Sequence, residues 1–398
     1  MKVRFDLGLA ARTLMFALLP FLCTVAILGT APFVSVAGYL SSSFSLLRQA
    51  FEKRPLPLLL LLGFAAWAAA SSLWSPYLNH VQALKLWLTL AGGLLFAGAA
   101  SASRGERRWT FAAGLAAFLV LAALLGVEAL WRRPLNHALH PTYDLGTLDV
   151  TTGRATSVLV LMVWGCAVGI IGWGRASPAR IAAAAAILVA GGALSLQFSE
   201  LANATAFGFG AAAFALAWLA PRLGLLWVSA GTAAWMLVAP FATPILFSDQ
   251  RLFDALPMSA AARVVVWRYV ASRIAESPWF GHGLDASRTA PQLLPVRDGF
   301  SVAAIPLHPH SASMQVWFET GAVGAILAAA ALLTAGWSLS RALDANRPQA
   351  AAAAGAIAAI GVIGNLSYGL WQEWWDAAMF VAAALVAAAM PGKPAPRV

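Results

Sequence analysis

Six histidines occur in 398 residues, and one of them opens the stretch "HSASMQVWFETGAVG", residues 310–324, where a polar segment runs into an apolar one. An imidazole ionises near pH 6.5, so His310 can accept a proton near neutrality and is a candidate general base, with a satisfied structural histidine as the plainer alternative. His308 stands two residues earlier, across Pro309. A His-x-His pair can ligate a metal, but no acidic or cysteine cluster accompanies this one in sequence, so no metal is expected. Ahead of the histidines lie Arg251, Arg263, Arg268, Arg273, Arg288 and Arg297. The planar guanidinium fork meets phosphate oxygens in pairs, so this run could hold phosphate. Lys85 and Arg154 are further cations close to the ends of apolar runs, where they either anchor to an interface or bind an anion.

Other chemistries lack their residues. The chain has no P-loop, no G-x-S-x-G, no H-E-x-x-H and no Asp-x-Asp pair, so ATP hydrolysis and metal-dependent transfer from a nucleotide sugar are unsupported. Cys23 and Cys166 each sit inside an apolar run and read as small buried side chains, unpaired by a disulfide. The net charge of +10 is spread between apolar runs and forms no basic patch in a soluble module, which argues against nucleic acid as a partner.

The elements that must position these residues are transmembrane. Residues are 61% hydrophobic and only 11% charged, where soluble proteins carry about 25% charged residues, and the depletion runs through the whole length. Runs of the length a bilayer needs fall near 13–30, 32–48, 55–74, 80–101, 110–130, 155–174, 179–197, 203–220, 223–247, 313–340, 349–370 and 373–391. The expectation is an all-α polytopic membrane protein with about 12 transmembrane helices and one integral membrane domain, 1–398. The basic, then apolar N-terminus reads as an uncleaved first span. Alternate connecting segments hold 16 Lys and Arg against 4 acids on one side and 10 against 12 on the other. The positive-inside rule then places both termini in the cytoplasm. Residues 131–154 and the large loop 248–312, between spans 9 and 10, fall on the outer, periplasmic side.

That loop is too long to be structureless. Within it, "SAAARVVVWRYVASRIAESP" has Ser259 to begin a helix and Pro278 to stop one. Its apolar residues recur at helical spacing, which predicts an amphipathic helix on the bundle's outer surface, with Arg263 and Trp267 on one face. "PWFGHG" predicts a tight turn shaped by Gly281 and Gly283. Gly321 and Gly324 are expected to allow close helix packing.

These features together resemble the O-antigen ligase family, within the superfamily that includes O-antigen polymerases. The resemblance rests on twelve spans with one dominant outer loop before the tenth. It also rests on "RVVVWRYVASRIAESPWFGHG", and on His310-Ser311 followed after nine residues by Gly321-x-x-Gly324. It implies a GT-C-like membrane glycosyltransferase that needs neither ATP nor any cofactor. Such an enzyme moves a polysaccharide from undecaprenyl pyrophosphate to lipid A–core at the periplasmic face of the bacterial inner membrane, among membrane lipids.

On that reading His310 is the base and the reaction inverts the anomeric centre. Arg263, Arg154 and Lys85 face the pyrophosphate, Gln315 is a polar contact, and His308 and Arg288 join the substrate site. One feature departs from the family: "SELANATAFGFG" has no arginine near Ala206, and Lys85 or Arg154 would take its place. An O-antigen polymerase or a protein-glycosylating oligosaccharyltransferase of the same superfamily is the nearest alternative. A lipid or solute transporter is a further one, although no inverted repeat is visible.

Overall fold

A segment in hydrocarbon has no water to satisfy its peptide groups, so apolar runs of this length fold as helices that bond internally. The structure, a computed structural model, describes residues 6–42, 52, 55–78, 80–175, 177–198 and 200–391. Its helices are α1 Leu7–Val25, α2 Thr30–Leu40, α3 Pro55–Ser71, α4 Val81–Ala100, α5 Arg104–Leu130, α6 Pro134–Leu139, α7 Leu145–Gly172, α8 Pro178–Ser195, α9 Leu201–Leu219 and α10 Pro221–Leu246. The large loop holds α11 Gln250–Ala255, α12 Met258–Ile274 and a hairpin of β1 Leu293–Arg297 and β2 Phe300–Ala303. Helices α13 Ala312–Ala342, α14 Arg347–Leu366 and α15 Glu373–Ala388 follow.

Each of the twelve apolar runs contains a helix, but the helices differ in length. Among the described residues nine are long and apolar enough to cross a membrane: α1, α4, α5, α7, α8, α9, α10, α13 and α14. The helices in the other three runs, α2, α3 and α15, are shorter. The second run, 32–48, extends beyond Leu40 into residues outside the described set.

Two apolar cores organise the bundle. The first surrounds α7, in which every residue from Ala155 to Gly169 is buried. Burial on all sides marks α7 as the central helix of this half, consistent with its lack of a polar stripe. The second core joins α3, α10, α12 and α13. Its packing repairs a defect in α10. Pro240 cannot donate to the carbonyl of Met236, four residues back, and the indole of Trp317 donates to that carbonyl instead at 2.8 Å.

The large loop is more structured than an amphipathic helix alone. Helix α12 begins after Pro257, whose carbonyl accepts from Ala261, so Ser259 lies inside the helix and does not cap it. It ends at Ile274, ahead of Pro278. Val264, Val266, Trp267, Val270 and Ile274 are buried in the second core, which docks α12 into the bundle and does not leave it lying on the surface. The hairpin turns at Asp298-Gly299, both with positive φ, as a two-residue hairpin turn requires.

One backbone break ties this loop to the membrane helices. Gly321, inside α13, has φ 66° and ψ −168°. The helix therefore releases several peptide groups, and the loop after α12 claims them. His282 and Gly283 donate to the carbonyls of Phe318 and Glu319 at 2.8 Å each. Ala322 and Val323 donate in turn to the carbonyls of Pro278 and Trp279, at 2.8 and 3.3 Å. The indole of Trp67 takes the carbonyl of Thr320 at 2.9 Å. Gly281 and Gly283 also have positive φ, as their turn demands. Gly321 thus packs closely against a loop backbone, not against a helix: a Cβ there would lie 2.3 Å from the Trp279 carbonyl carbon.

Gly321→Val should therefore destabilise the protein sharply, combining backbone strain of about 1–3 kcal/mol with a backbone clash. A thermal melt in detergent should show a lowered transition, while Gly98→Ala, on α4 with open space at its Cβ, leaves it nearly unchanged.

Candidate functional site

The site is assembled from α12 outward. Arg263 and Trp267 are one helical turn apart on α12, and the indole of Trp267 donates to the carbonyl of Pro309 at 2.8 Å. This bond pins the peptide between the two histidines onto the face that carries Arg263. The chain bends there through two left-handed residues, Leu307 with φ 68° and His310 with φ 54°. Such conformations cost about 1–3 kcal/mol and persist where the surroundings enforce them. Ser311 then caps α13, its hydroxyl accepting from the amide of Met314.

The partners of the histidines fix their tautomers. His310 Nδ1 lies 2.7 Å from the carbonyl oxygen of Ser367, which can only accept, so Nδ1 carries the proton and Nε2 the lone pair. His308 Nδ1 accepts from the amide of His310 at 3.2 Å, so its proton is on Nε2. The two rings meet edge to face with centroids 4.5 Å apart. Burial pushes His310 down to about 4; the Ser367 carbonyl opposes this and the charge of Arg263 adds to it. Burial also pushes His308 down to about 3, helped by the charges of His310, Arg288, Arg154 and Arg263. Both imidazoles are neutral at pH 7.

Three of the expected cations therefore act on His308 through their charge: Arg263 from α12, Arg154 from the N-terminal half of α7, and Arg288 from the loop before the hairpin. Arg263 acts on His310 as well. The Nε of Arg263 is buried without a hydrogen-bond partner among the described residues, which leaves it in need of an acceptor. Arg288 pairs with Asp285 at 3.2 Å and lies over the ring of Tyr77 at 5.8 Å. Burial pushes the Asp285 carboxyl up, while Arg288 and Lys85 draw it down.

The remaining expected contacts are engaged by the protein itself. Lys85 pairs with Glu373 at 3.2 Å, on the Asp285 side of the site. Gln315 is buried and uses both ends of its amide: Nε2 donates to Glu319 at 3.1 Å and Oε1 accepts from Leu370 N at 2.8 Å. Positions 315 and 319 share one face of α13, which brings these two side chains together. Arg268 donates to the Phe247 carbonyl, Arg273 pairs with Glu276, and Arg297 binds the carbonyls that end α11. Among the described residues no three His, Cys, Asp or Glu side chains gather as a metal set.

Several residues that matter here carry no mark in the sequence. Glu319 is fully buried and accepts from Asp285 N, Ser287 Oγ, Gln315 Nε2 and Trp371 Nε1. Asn365 holds the start of α13 by accepting from Ser311 Oγ and Ser313 N. Ser367 supplies the carbonyl that orients His310. Ala206, where an arginine was missed, is buried, and neighbouring Thr205 lines a groove of about 670 Å³. Phe209, Leu216, Trp227 and Trp235 make the groove apolar, and Trp267 and Ser311 bring it up to the histidines.

Comparisons with known proteins place part of the chain among polysaccharide ligases by similarity. Residues 145–329 match the family described as O-Antigen ligase. The match includes Arg154, Arg263, Arg288, His308, His310, Gln315 and Glu319, and leaves Lys85 and Ser367 outside. A protein of Rickettsia conorii described as a candidate polysaccharide ligase is 29% identical over 183 residues, covering 44% of each chain. Proteins so described from Rickettsia typhi and Rickettsia prowazekii are each 29% identical over 185 residues, again 44% of each chain. The chain thus spans under half the length of the relatives it matches.

The imidazoles provide a test of the geometry that needs no substrate. His310 should titrate near pH 4, well below the usual range, and Arg263→Ala should move that titration upward by removing a positive neighbour. Nitrogen-15 NMR of the histidine rings reads both. Because both folded values lie below the unfolded value of about 6.5, their contribution to stability is complete above that pH. It is lost progressively as pH falls from about 6.5, and the loss is complete once pH has passed through about 4 for His310 and about 3 for His308, so the thermal transition should drop across that window.

Proposed function

We propose, for a chain whose residues 145–329 carry the O-antigen ligase family domain, that it ligates a polysaccharide from undecaprenyl pyrophosphate onto lipid A–core. The reaction would occur at the periplasmic face of the bacterial inner membrane, with both termini cytoplasmic. One observation carries this reading. A neutral His310, with no hydrogen bond to Nε2 among the described residues, feels the charge of Arg263, whose Nε is unpartnered among them, and the neighbouring Ser311 lines an apolar groove. A base, an anion site and a lipid-compatible channel are what a lipid-linked pyrophosphate donor requires.

The chemistry is a single displacement. The acceptor hydroxyl of lipid A–core attacks the anomeric carbon and gives its proton to Nε2 of His310. The new bond joins the acceptor oxygen to that carbon. The bond from the carbon to the phosphate oxygen breaks on the opposite face, so the anomeric configuration inverts. Undecaprenyl pyrophosphate leaves with the electron pair. Arg263 and Arg154 offset the charge that grows on the leaving group, and the fixed guanidinium groups need no rearrangement to do so. Arg288 and Lys85 lie one layer out, each with a carboxylate partner, and raise the positive potential that draws in the donor. His308 buttresses the base by accepting its backbone amide. The polyprenyl tail lies in the groove between α9, α10 and α14, whose aromatic walls suit an isoprenoid chain.

Purified protein incubated with the lipid-linked donor and lipid A–core, without nucleotide, should produce core bearing the polysaccharide. Longer lipid-linked chains would instead mark a polymerase, glycosylated protein an oligosaccharyltransferase, and ligand movement without a covalent product a transporter. His310→Ala should lower kcat by at least about 100-fold while donor still binds. Arg263→Ala should chiefly weaken donor binding. Gly231→Trp, at a groove position with open space for a side chain, should raise the KM for a long polyprenyl donor and spare a short-chain analogue.

A further inference from the structure

A largely buried polar layer stands behind His310, and its half-buried acid, Glu200, has no part in the chemistry above. Glu200, between α8 and α9, accepts from the hydroxyl of Ser367 at 2.6 Å. The carbonyl of that same serine accepts from His310 Nδ1 at 2.7 Å. Ser367 ends α14: its amide still donates to the Ile363 carbonyl at 2.9 Å, but at φ −136° and ψ −60° the carbonyl that follows leaves the helical ladder. The serine side chain is the further hold on that carbonyl, and Glu200 is the group bonded to it from the α9 side.

Glu200 is itself placed with little freedom. Its side chain packs on Gly153, where a Cβ would stand only 2.6 Å from its Cγ. The next residue is Arg154 of the anion site. Asn203, one turn into α9, donates to the Gly153 carbonyl at 2.9 Å and accepts from Ser157 at 2.7 Å. Ser157 also bonds the hydroxyl of Tyr368, at 2.9 Å. The layer thus fastens α7, α9 and the turn after α14 to one another, and Glu200 touches both the turn that orients the base and the helix that carries Arg154.

We propose that Glu200 is a positioning residue for His310, acting through Ser367. By holding the serine hydroxyl it aims the Ser367 carbonyl at Nδ1, which keeps the ring in the Nδ1–H tautomer and its Nε2 lone pair free. Without that hold the carbonyl turns, the tautomer preference falls, and a fraction of the enzyme carries its proton on the nitrogen that must accept one. Glu200 meets neither substrate nor the reacting atoms. The assignment of a base rests on the reading above, but the tautomer claim concerns the free protein.

The test combines two measurements on Glu200→Ala, Glu200→Gln and Ser367→Ala in the full chain. Nitrogen-15 NMR of the histidine rings, with His310→Ala to identify the signal, reads the tautomer; steady-state transfer to lipid A–core reads kcat and donor KM. Glu200→Ala and Ser367→Ala should each shift His310 toward the Nε2–H form and lower kcat at least about tenfold, with donor KM within about twofold. Glu200→Gln keeps an acceptor for the serine hydroxyl and should restore both. An unshifted tautomer in folded Glu200→Ala and Ser367→Ala overturns the proposal. If the wild type transfers nothing, the functional reading fails while the tautomer result still decides this one.

Discussion

Glu319 lies inside α13 with no exposed surface and receives four hydrogen bonds, one each from Asp285 N, Ser287 Oγ, Gln315 Nε2 and Trp371 Nε1. Every partner is a donor, the set a buried carboxylate needs to offset its lost hydration. Losing this acceptor would strand four buried donors at once. The partners come from three separate segments: the turn carrying Arg288, the helix that His310 leads into, and the turn between α14 and α15. The carboxylate therefore sets the spacing among them. Gly321, two residues on, completes the join, because its break in α13 releases peptide groups for the loop to bind.

What that scaffold holds is an unusual concentration of positive charge around two neutral rings. Arg154, Arg263 and Arg288 all act on His308, and Arg263 also acts on His310. Two of the cations at the site, Lys85 and Arg288, have carboxylate partners in the protein, whereas the Arg263 Nε has none among the described residues. A buried guanidinium nitrogen left unsatisfied is costly, and an acceptor oxygen that took the position would recover the cost. The charges are fixed before any ligand arrives, by Trp267 bonding to Pro309 and by the burial of α12 in the second core.

The sequence displayed some of this and hid the rest, for physical reasons. Hydropathy made the apolar runs visible, because each helix in a membrane must satisfy its backbone alone. Arg263 and Trp267 were legible as one unit because four residues make one helical turn. Asp298-Gly299 between Val296 and Phe300 was an available hairpin signal that the loop reading passed over. Gln315 looked like a contact because a polar side chain in an apolar helix suggests a ligand, yet its partner was four residues away on the same face. Lys85 was visible as a cation, but its pairing with Glu373 depends on α4 and α15 meeting in space. Glu200 and Ser367 are equally remote in sequence, and no local pattern relates them to His310.

Base and anion site make opposing demands at this distance. Guanidinium groups close enough to gather an anion here also disfavour a proton on the imidazole. The Ser367 carbonyl works against that field: His310, which has it, is held at about 4, and His308, which lacks it, at about 3. An anion seated among the same arginines would cancel part of their field and favour proton uptake further. On the proposed reading, the ring is a weak base in the free protein and a stronger one beside its donor, so the proton leaves the acceptor hydroxyl most readily when the leaving group is already in place.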